Sequence, residues 1–579
     1  MKGYGLTVFE GTEPSRFDVE VIDVLENFRP RQDLILIKTS HPRLEVAKVV
    51  AGMSGSPIYI NGKMIGAYAY GWTFAEEPVA GVTPIESMIE DLQRPLPDFI
   101  YGWPLDPAGG VKAREKQPRV GSSANQYRGA ASKYTLRAHS EQLAARWVKG
   151  SGTEGSLGRA TTPLLMGGMT SGAMSVAEEL FGKVGLEPFQ AGGGRTEPDP
   201  TAPTRYVDGG AIGVQMISGD ISATGLGTVT RVEGDRLVAF GHPMMQAGVT
   251  ALPTAVGRVL WFLASKMRSF KVGTAVRPLG ALVADRSSSI VVSQSAEAPL
   301  IPSSLTIEGI PGMEKSRWNF ELAHEKFMAP SFLAIALGNA LQAVAAERQD
   351  ISWTAESRLK VRGHGELIIE DYGVSVGGTP DAQQFIQSNL VEAVGALLNN
   401  PWEPLLIEES STTVRLRYDR DILVLKGAEV LEPEVEAGKR ARIRLTLTPY
   451  DGPEVTRIVE LPIPVHLAGR ELSVRINPGY LEQRDVADPE NVAELIGALQ
   501  NPTYPPKSVI LSFDSGDGGV AFKGLVAKNL PPGAVDMLRP TSSSVAPETF
   551  GTETRHVAYL PSFMLGQDKV SIRVKPVLR

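Results

Sequence analysis

AGMSGSPIYINGKMIGA, residues 51–67, decides the reading of this chain. A glycine-flanked serine leads into two short apolar runs, PIYI and MIGA. These are separated by Asn61-Gly62, a pair that favours a two-residue hairpin turn. Glycines beside a serine let neighbouring backbone N–H groups converge on one point, as the stabilisation of an oxyanion requires. In the register Gly-x-Ser-Gly-x-Pro, Ser54 is the candidate nucleophile, with the N–H groups of Gly52 and Ser54 as the candidate oxyanion hole. Ser56 is the rival nucleophile, and a plain Gly/Ser turn between two strands is the alternative to both.

Upstream, LTVF, FDVEVIDVL and DLILIKT alternate with turn signals, as expected of an antiparallel sheet. Downstream, TPIESMIEDL predicts a short helix with Thr83 as cap, Pro84 at its first position and Glu86 completing a capping box. Residues 1–98 are thus expected to form a Ser-bearing half barrel. Residues 99–204 are rich in Pro, Gly and Ser and read as a connecting region with short helices. Strands resume over 205–300, where TGLGTVTRVEGDRLVAFGHP predicts a second half barrel, bearing a histidine. Residues 301–421 read as an α+β region, and 422–478 as an immunoglobulin-like β-sandwich from short, evenly spaced strands. Residues 479–579 hold one helix and further strands of unassigned fold.

The whole composition agrees with a multidomain, mainly β chain. It has 579 residues with 42% hydrophobic, 21% charged, 60 glycines, 42 prolines and 7% aromatics. A formal charge of −7 without a basic run argues against nucleic acid as a partner. Zero cysteines exclude disulfides, thiolate nucleophiles and Cys-based metal sites. No His-Glu-x-x-His occurs, so neither metal nor cofactor is expected. No apolar run reaches the roughly 18–20 residues of a membrane span. The start, MKGYGLTVFEG, lacks a signal peptide's apolar stretch and fits a chain trimmed ahead of its first strand, with a Met added.

A serine nucleophile needs a base, and seven histidines are available. His242 ends an apolar strand in RLVAFGHPMMQAG, which would fix its ring, and His41 lies in TSHPRLE just ahead of the serine turn.

These segments carry a family resemblance. GLTVFEGTEPSRFDVEVIDVL through HPRLEVAKVVAGMSGSPIYINGKMIGAYAY resembles the C-terminal half of the SpoIVB peptidase family, the sporulation signalling serine peptidases with a chymotrypsin-like double barrel. GLGTVTRVEGDRLVAFGHPMMQAG, through FKVG and PLGALVADRSSSIVV, resembles the half that carries that family's catalytic histidine. The resemblance implies a chymotrypsin-like double β-barrel assembled from two separated segments, with Ser54 as nucleophile and His242 as general base. Here the serine half comes first, so the order is circularly permuted. Where the family carries Asp in Asp-Pro-Arg-Leu, this chain reads His41-Pro42-Arg43-Leu44 in a segment two residues shorter. His41 is therefore the expected third catalytic residue, with Asp33, Asp235, Asp285 or no third member as alternatives. The implied activity is a serine endopeptidase acting through an acyl-enzyme on a protein or peptide substrate outside the cytoplasm, in the envelope or secreted. The competing reading is a non-catalytic binding or scaffold protein on a degenerate peptidase barrel.

Overall fold

The computed structural model describes residues 1–579 except 31, 73–74, 101, 106–124, 149–157, 160, 192–198, 267, 310–314, 346–349, 376–381, 419–420, 450–451, 485–487, 501, 523–524, 531–536, 538–547 and 577–579. The first unit contains β1 (Lys2–Thr7), β2 (Ser15–Arg29), β3 (Gln32–Ser40), α1 (Pro42–Ala47), β4 (Val50–Ala51), β5 (Pro57–Ile60), β6 (Lys63–Gly71), β7 (Val79–Pro84) and α2 (Ile85–Gln93). Alternation of apolar and polar residues along β2 turns Phe17 and Val19 inward, onto Ile37, Ile58 and Val82. Asn61 and Gly62 both have positive φ, 50° and 76°, the type I′ geometry that closes the β5–β6 hairpin. The strands run in the order β6-β5-β1-β2-β3-β7, and β7 pairs back onto β6. The sheet is therefore a closed ring, whereas the sequence suggested half of one. The edge left at Tyr70–Gly71 of β6 pairs with residues 158–159 and not with the second segment.

Between the two rings lie the short pair β8 (Phe99–Ile100) and β9 (Trp103–Pro104), α3 (Leu136–Val148), β10 (Gly158–Arg159), β11 (Thr162–Gly167), α4 (Ser171–Phe181) and β12 (Leu186–Gln190). The second ring is built from β13 (Ala211–Gly219), β14 (Ser222–Glu233), β15 (Arg236–Ala239), β16 (Gly248–Leu263), β17 (Ser269–Asp285) and β18 (Ile290–Ser293). They pair in the order β14-β15-β18-β17-β16-β13, and β13 returns to β14. The connecting region is more ordered than its composition suggested, because β11, α4 and β12 form a unit that extends this sheet from β14.

Backbone hydrogen bonds tie the two rings together. Gly11 and Val259 exchange both N–H···O bonds at 2.8 Å, and β4 lies parallel to the start of β17. The α2 carboxylate of Asp91 accepts from Ser288 N–H and the Ser289 hydroxyl in the turn before β18.

Beyond β13 the sheet continues through β20 (Arg317–Ala323), β19 (Leu300–Glu308), β23 (Ile407–Arg417), β21 (Ile351–Val361) and β22 (Gly365–Ser375). The buried α5 (Met328–Val344) and α6 (Asn389–Leu398) share one core with these strands. The C-terminal sandwich differs from the division at 478 in the sequence reading. Its strands between 422 and 478 share a single core with Val509, Leu511, Met564, Ile572 and Val574, so residues after 479 complete it. α7 (Val492–Leu499) instead packs back on α6. No helix among the described residues is long and apolar enough to cross a membrane.

Candidate active site

The serine turn occupies the seam between the rings. Gly52 and Gly55 take positive φ, 91° and 98°. Most of the turn's amides are committed: Met53 N–H to Val50 O, Gly55 N–H to Tyr68 O, and Ser56 N–H to Met53 O. The Ser54 N–H enters none of the hydrogen bonds found among the described residues. Its peptide partner, the Met53 carbonyl, accepts from both the Ser56 amide at 2.9 Å and the Ser56 hydroxyl at 2.7 Å. Because C=O and N–H of a trans peptide point in opposite directions, pinning that carbonyl turns the Ser54 N–H the other way. The Ser54 hydroxyl is buried and makes no hydrogen bond among the described residues.

The histidine turn follows β15. Phe240 and Gly241 both have φ of 70°, a left-handed pair that redirects the chain into His242. For a bulky residue such as Phe240 this conformation is strained, and the surrounding contacts must hold it. His242 Nδ1 lies 2.8 Å from the Pro243 carbonyl oxygen. A carbonyl can only accept, so Nδ1 carries the hydrogen in that contact and Nε2 keeps the lone pair a general base needs. The segment after His242 is organised by the buried Asp285. Its carboxylate accepts the N–H groups of Met244 at 2.8 Å, Met245 at 2.7 Å and Ala247 at 3.1 Å.

Thr228 on β14 joins the two turns. Its N–H donates to Ser54 O at 2.9 Å and its carbonyl accepts from Phe240 N–H at 3.3 Å. Its hydroxyl donates to Gly52 O at 3.0 Å. Thr230, two residues on, donates to Gly55 O at 2.7 Å. From the first ring, the Thr83 hydroxyl donates to Gly241 O at 2.6 Å. Thr83 therefore braces the histidine turn and does not cap α2, whose N-cap is Pro84 without a side-chain bond.

Below the serine turn stands Lys271 of β17, fully buried. Nζ donates to the Thr7 hydroxyl at 2.7 Å and lies 3.4 Å from that of Thr228. Burial alone pushes its pKa down to about 7.

The structure thus brings the Ser54, Gly52 and His242 segments together, although the Ser54 hydroxyl is not hydrogen-bonded to His242. His41, expected as the third catalytic residue, has its side chain engaged at the start of α1. It is the N-cap of α1, with Nδ1 accepting the Arg43 N–H at 3.2 Å and its ring stacked on Phe9 at 4.1 Å. Burial, with the Arg43 guanidinium beside it, lowers the His41 pKa and favours the neutral ring that such a cap uses. Of the carboxylates, Asp33 accepts from Asn27 N–H in the β2–β3 turn, and Asp235 binds the hydroxyls of Ser293 and Ser295. Asp285 is the one bound to the histidine segment. No cluster of metal-ligating side chains occurs among the described residues.

Comparison with known proteins bears on the serine half. Residues 2–89 match the family described as SpoIVB peptidase S55. The match covers the first ring, the serine turn and most of α2, and it supports a peptidase, a hydrolase of peptide bonds. No curated protein and no solved structure gives a significant match to the chain. Outside the SpoIVB match, the histidine segment stands on its geometry alone.

Sequence reasoning did not find Lys271, Thr7 or Thr228. Lys271 lies in FKVG, where period-two alternation does not reveal which face the second ring buries against the first.

Proposed function

We propose that the chain is a serine endopeptidase on a chymotrypsin-like double barrel, with Ser54 as nucleophile and His242 as general base. The observation that carries this reading is Thr228, whose amide and carbonyl hold the serine and histidine turns at one point of the seam. The SpoIVB match over the serine half supports it from the side of sequence.

In the proposed reaction His242 Nε2 takes the Ser54 hydroxyl proton as the oxygen attacks the scissile carbonyl. The N–H groups of Gly52 and Ser54 receive the resulting oxyanion. The protonated imidazole gives its proton to the leaving amine, and water, activated by the same ring, hydrolyses the acyl-enzyme. The Pro243 carbonyl fixes the tautomer without supplying a carboxylate's charge. Asp285 acts on the backbone after His242 as a positioning residue. Nucleophile–base contacts are commonly long before substrate binds, which accommodates the unbonded Ser54 hydroxyl. The substrate is a protein or peptide, and the site of action is outside the cytoplasm, by likeness to the SpoIVB peptidases.

The test is incubation of the intact chain with an unfolded protein such as casein and sequencing of new N-termini. Wild type is expected to cleave, and Ser54→Ala and His242→Ala to be inactive. Cleavage by Ser54→Ala at the wild-type rate would refute the assignment.

A second reading, a non-catalytic binding protein on this scaffold, is favoured by the burial of both groups: Ser54 is 2% exposed and His242 1%. It expects peptide binding without cleavage.

A further inference from the structure

Lys271 is a buried lysine whose pKa shift has burial as its one cause, with no carboxylate contributing among the described residues. The groups facing its Nζ are hydroxyls: Thr7 from β1 and Thr228 from β14. Gly52 packs against its aliphatic stem. Among the described residues no charged group contributes to its pKa, which burial alone lowers. Above about pH 7 the unfolded chain keeps a proton on this lysine that the folded chain gives up, and below it the folded chain buries the charge, so the residue costs stability. Packing alone does not explain a lysine in such a place, since an apolar side chain would fill the space without that cost.

The contacts form a directed chain. The Thr7 and Ser56 hydroxyl oxygens are 3.0 Å apart, and the Ser56 hydroxyl lies 2.7 Å from Met53 O. The ammonium form of lysine can only donate and a carbonyl can only accept, so while Lys271 is protonated the ends fix the direction of each hydrogen. Protonated Lys271 donates to Thr7; the single Ser56 hydrogen faces both Thr7 Oγ1 at 3.0 Å and the Met53 carbonyl at 2.7 Å, and with it on the closer carbonyl the Thr7 hydroxyl is the donor to Ser56. That carbonyl belongs to the peptide whose N–H is Ser54's.

We propose that Lys271 is a positioning residue for the oxyanion hole, acting through Thr7 and Ser56 to aim the Ser54 N–H at the reacting oxygen. This rests on the reading of Ser54 as nucleophile. A donor chain rooted in a cation polarises each hydroxyl toward the next and holds the peptide in one orientation. Ser56, the rival nucleophile in the sequence, becomes a link in this chain.

The experiment measures the rate of fluorophosphonate labelling of Ser54 across pH 5–10 in the intact chain, for wild type, Lys271→Met, Thr7→Val and the double variant. Thermal melting checks folding in each. Loss of an oxyanion donor lowers rates by roughly 100-fold, and both single variants are expected to lose about this factor, the double variant no more. Wild type should also lose rate as pH rises through about 7, where Lys271 gives up its charge, and Lys271→Met should lack this alkaline limb. A folded Lys271→Met or Thr7→Val that labels within twofold of wild type would overturn the proposal while leaving Ser54 as nucleophile. If Lys271→Met does not fold, Thr7→Val decides, since it keeps the lysine and the side-chain volume. No labelling of wild type at Ser54 would overturn the nucleophile assignment and this proposal with it.

Discussion

Gly55→Ala should separate the serine turn from the histidine turn. A Cβ on Gly55 would lie 1.9 Å from Thr228 O and 2.5 Å from Phe240 N, both backbone atoms that cannot rotate away. The position also has φ of 98°, which an L-residue adopts at a cost of about 1–2 kcal/mol. Overpacking against an unyielding neighbour adds about 1–3 kcal/mol. The sum, about 3 kcal/mol, falls on the Thr228–Ser54 and Phe240–Thr228 hydrogen bonds. Gly62→Ala is the control, with φ of 76° and open space around its Cβ, so it carries the conformational term alone, about 1 kcal/mol. Because a chain of several domains has no single unfolding free energy, the assay is native-state hydrogen exchange on peptides spanning 226–242. Gly55→Ala is expected to lower protection there by roughly 100-fold and Gly62→Ala by no more than about tenfold. Equal effects, or none from Gly55→Ala, would refute the backbone contact between the two turns.

Three other outcomes follow from the geometry. His41→Ala should cost about 1 kcal/mol through the lost α1 cap and leave fluorophosphonate labelling unchanged; a tenfold slower, folded variant would restore His41 to the catalytic machinery. Asp285→Ala strands three buried amides and should cost upwards of about 3 kcal/mol, with faster exchange over 240–247, slower labelling and an intact first ring by exchange. Stability relative to Lys271→Met should rise for wild type between pH 7 and 10, because the unfolded lysine sheds its proton only near 10.5 while the folded one does so near 7. Melting temperatures that run parallel across that range would contradict the buried placement of Nζ.

The local features that could be read from sequence were those set by adjacent residues. Asn61-Gly62 fixed a hairpin because both residues tolerate positive φ. Ser54 stood out because glycines permit the turn that presents it. His242 could be paired with Ser54 only through resemblance, since nothing local says that β14 will join their turns through Thr228. Asp285 was only one of several alternatives for the third catalytic member, and its work on amides some forty positions earlier depends on how β17 and β16 align. His41 drew its expected role from the resemblance alone, and its work as N-cap of α1 depends on where that helix begins. Closure of each sheet also escaped the reading, as the β6–β7 and β13–β14 pairings depend on how far the strands curl, which alternation does not encode.

The central claim is tested most directly by exposing the intact chain to a fluorophosphonate and mapping the adduct by mass spectrometry. A single adduct on Ser54, absent from Ser54→Ala and from His242→Ala, is the expected result, with Ser54→Ala melting as wild type because its hydroxyl makes no hydrogen bond. An adduct on Ser56, or an unlabelled chain that still binds peptide, would contradict it.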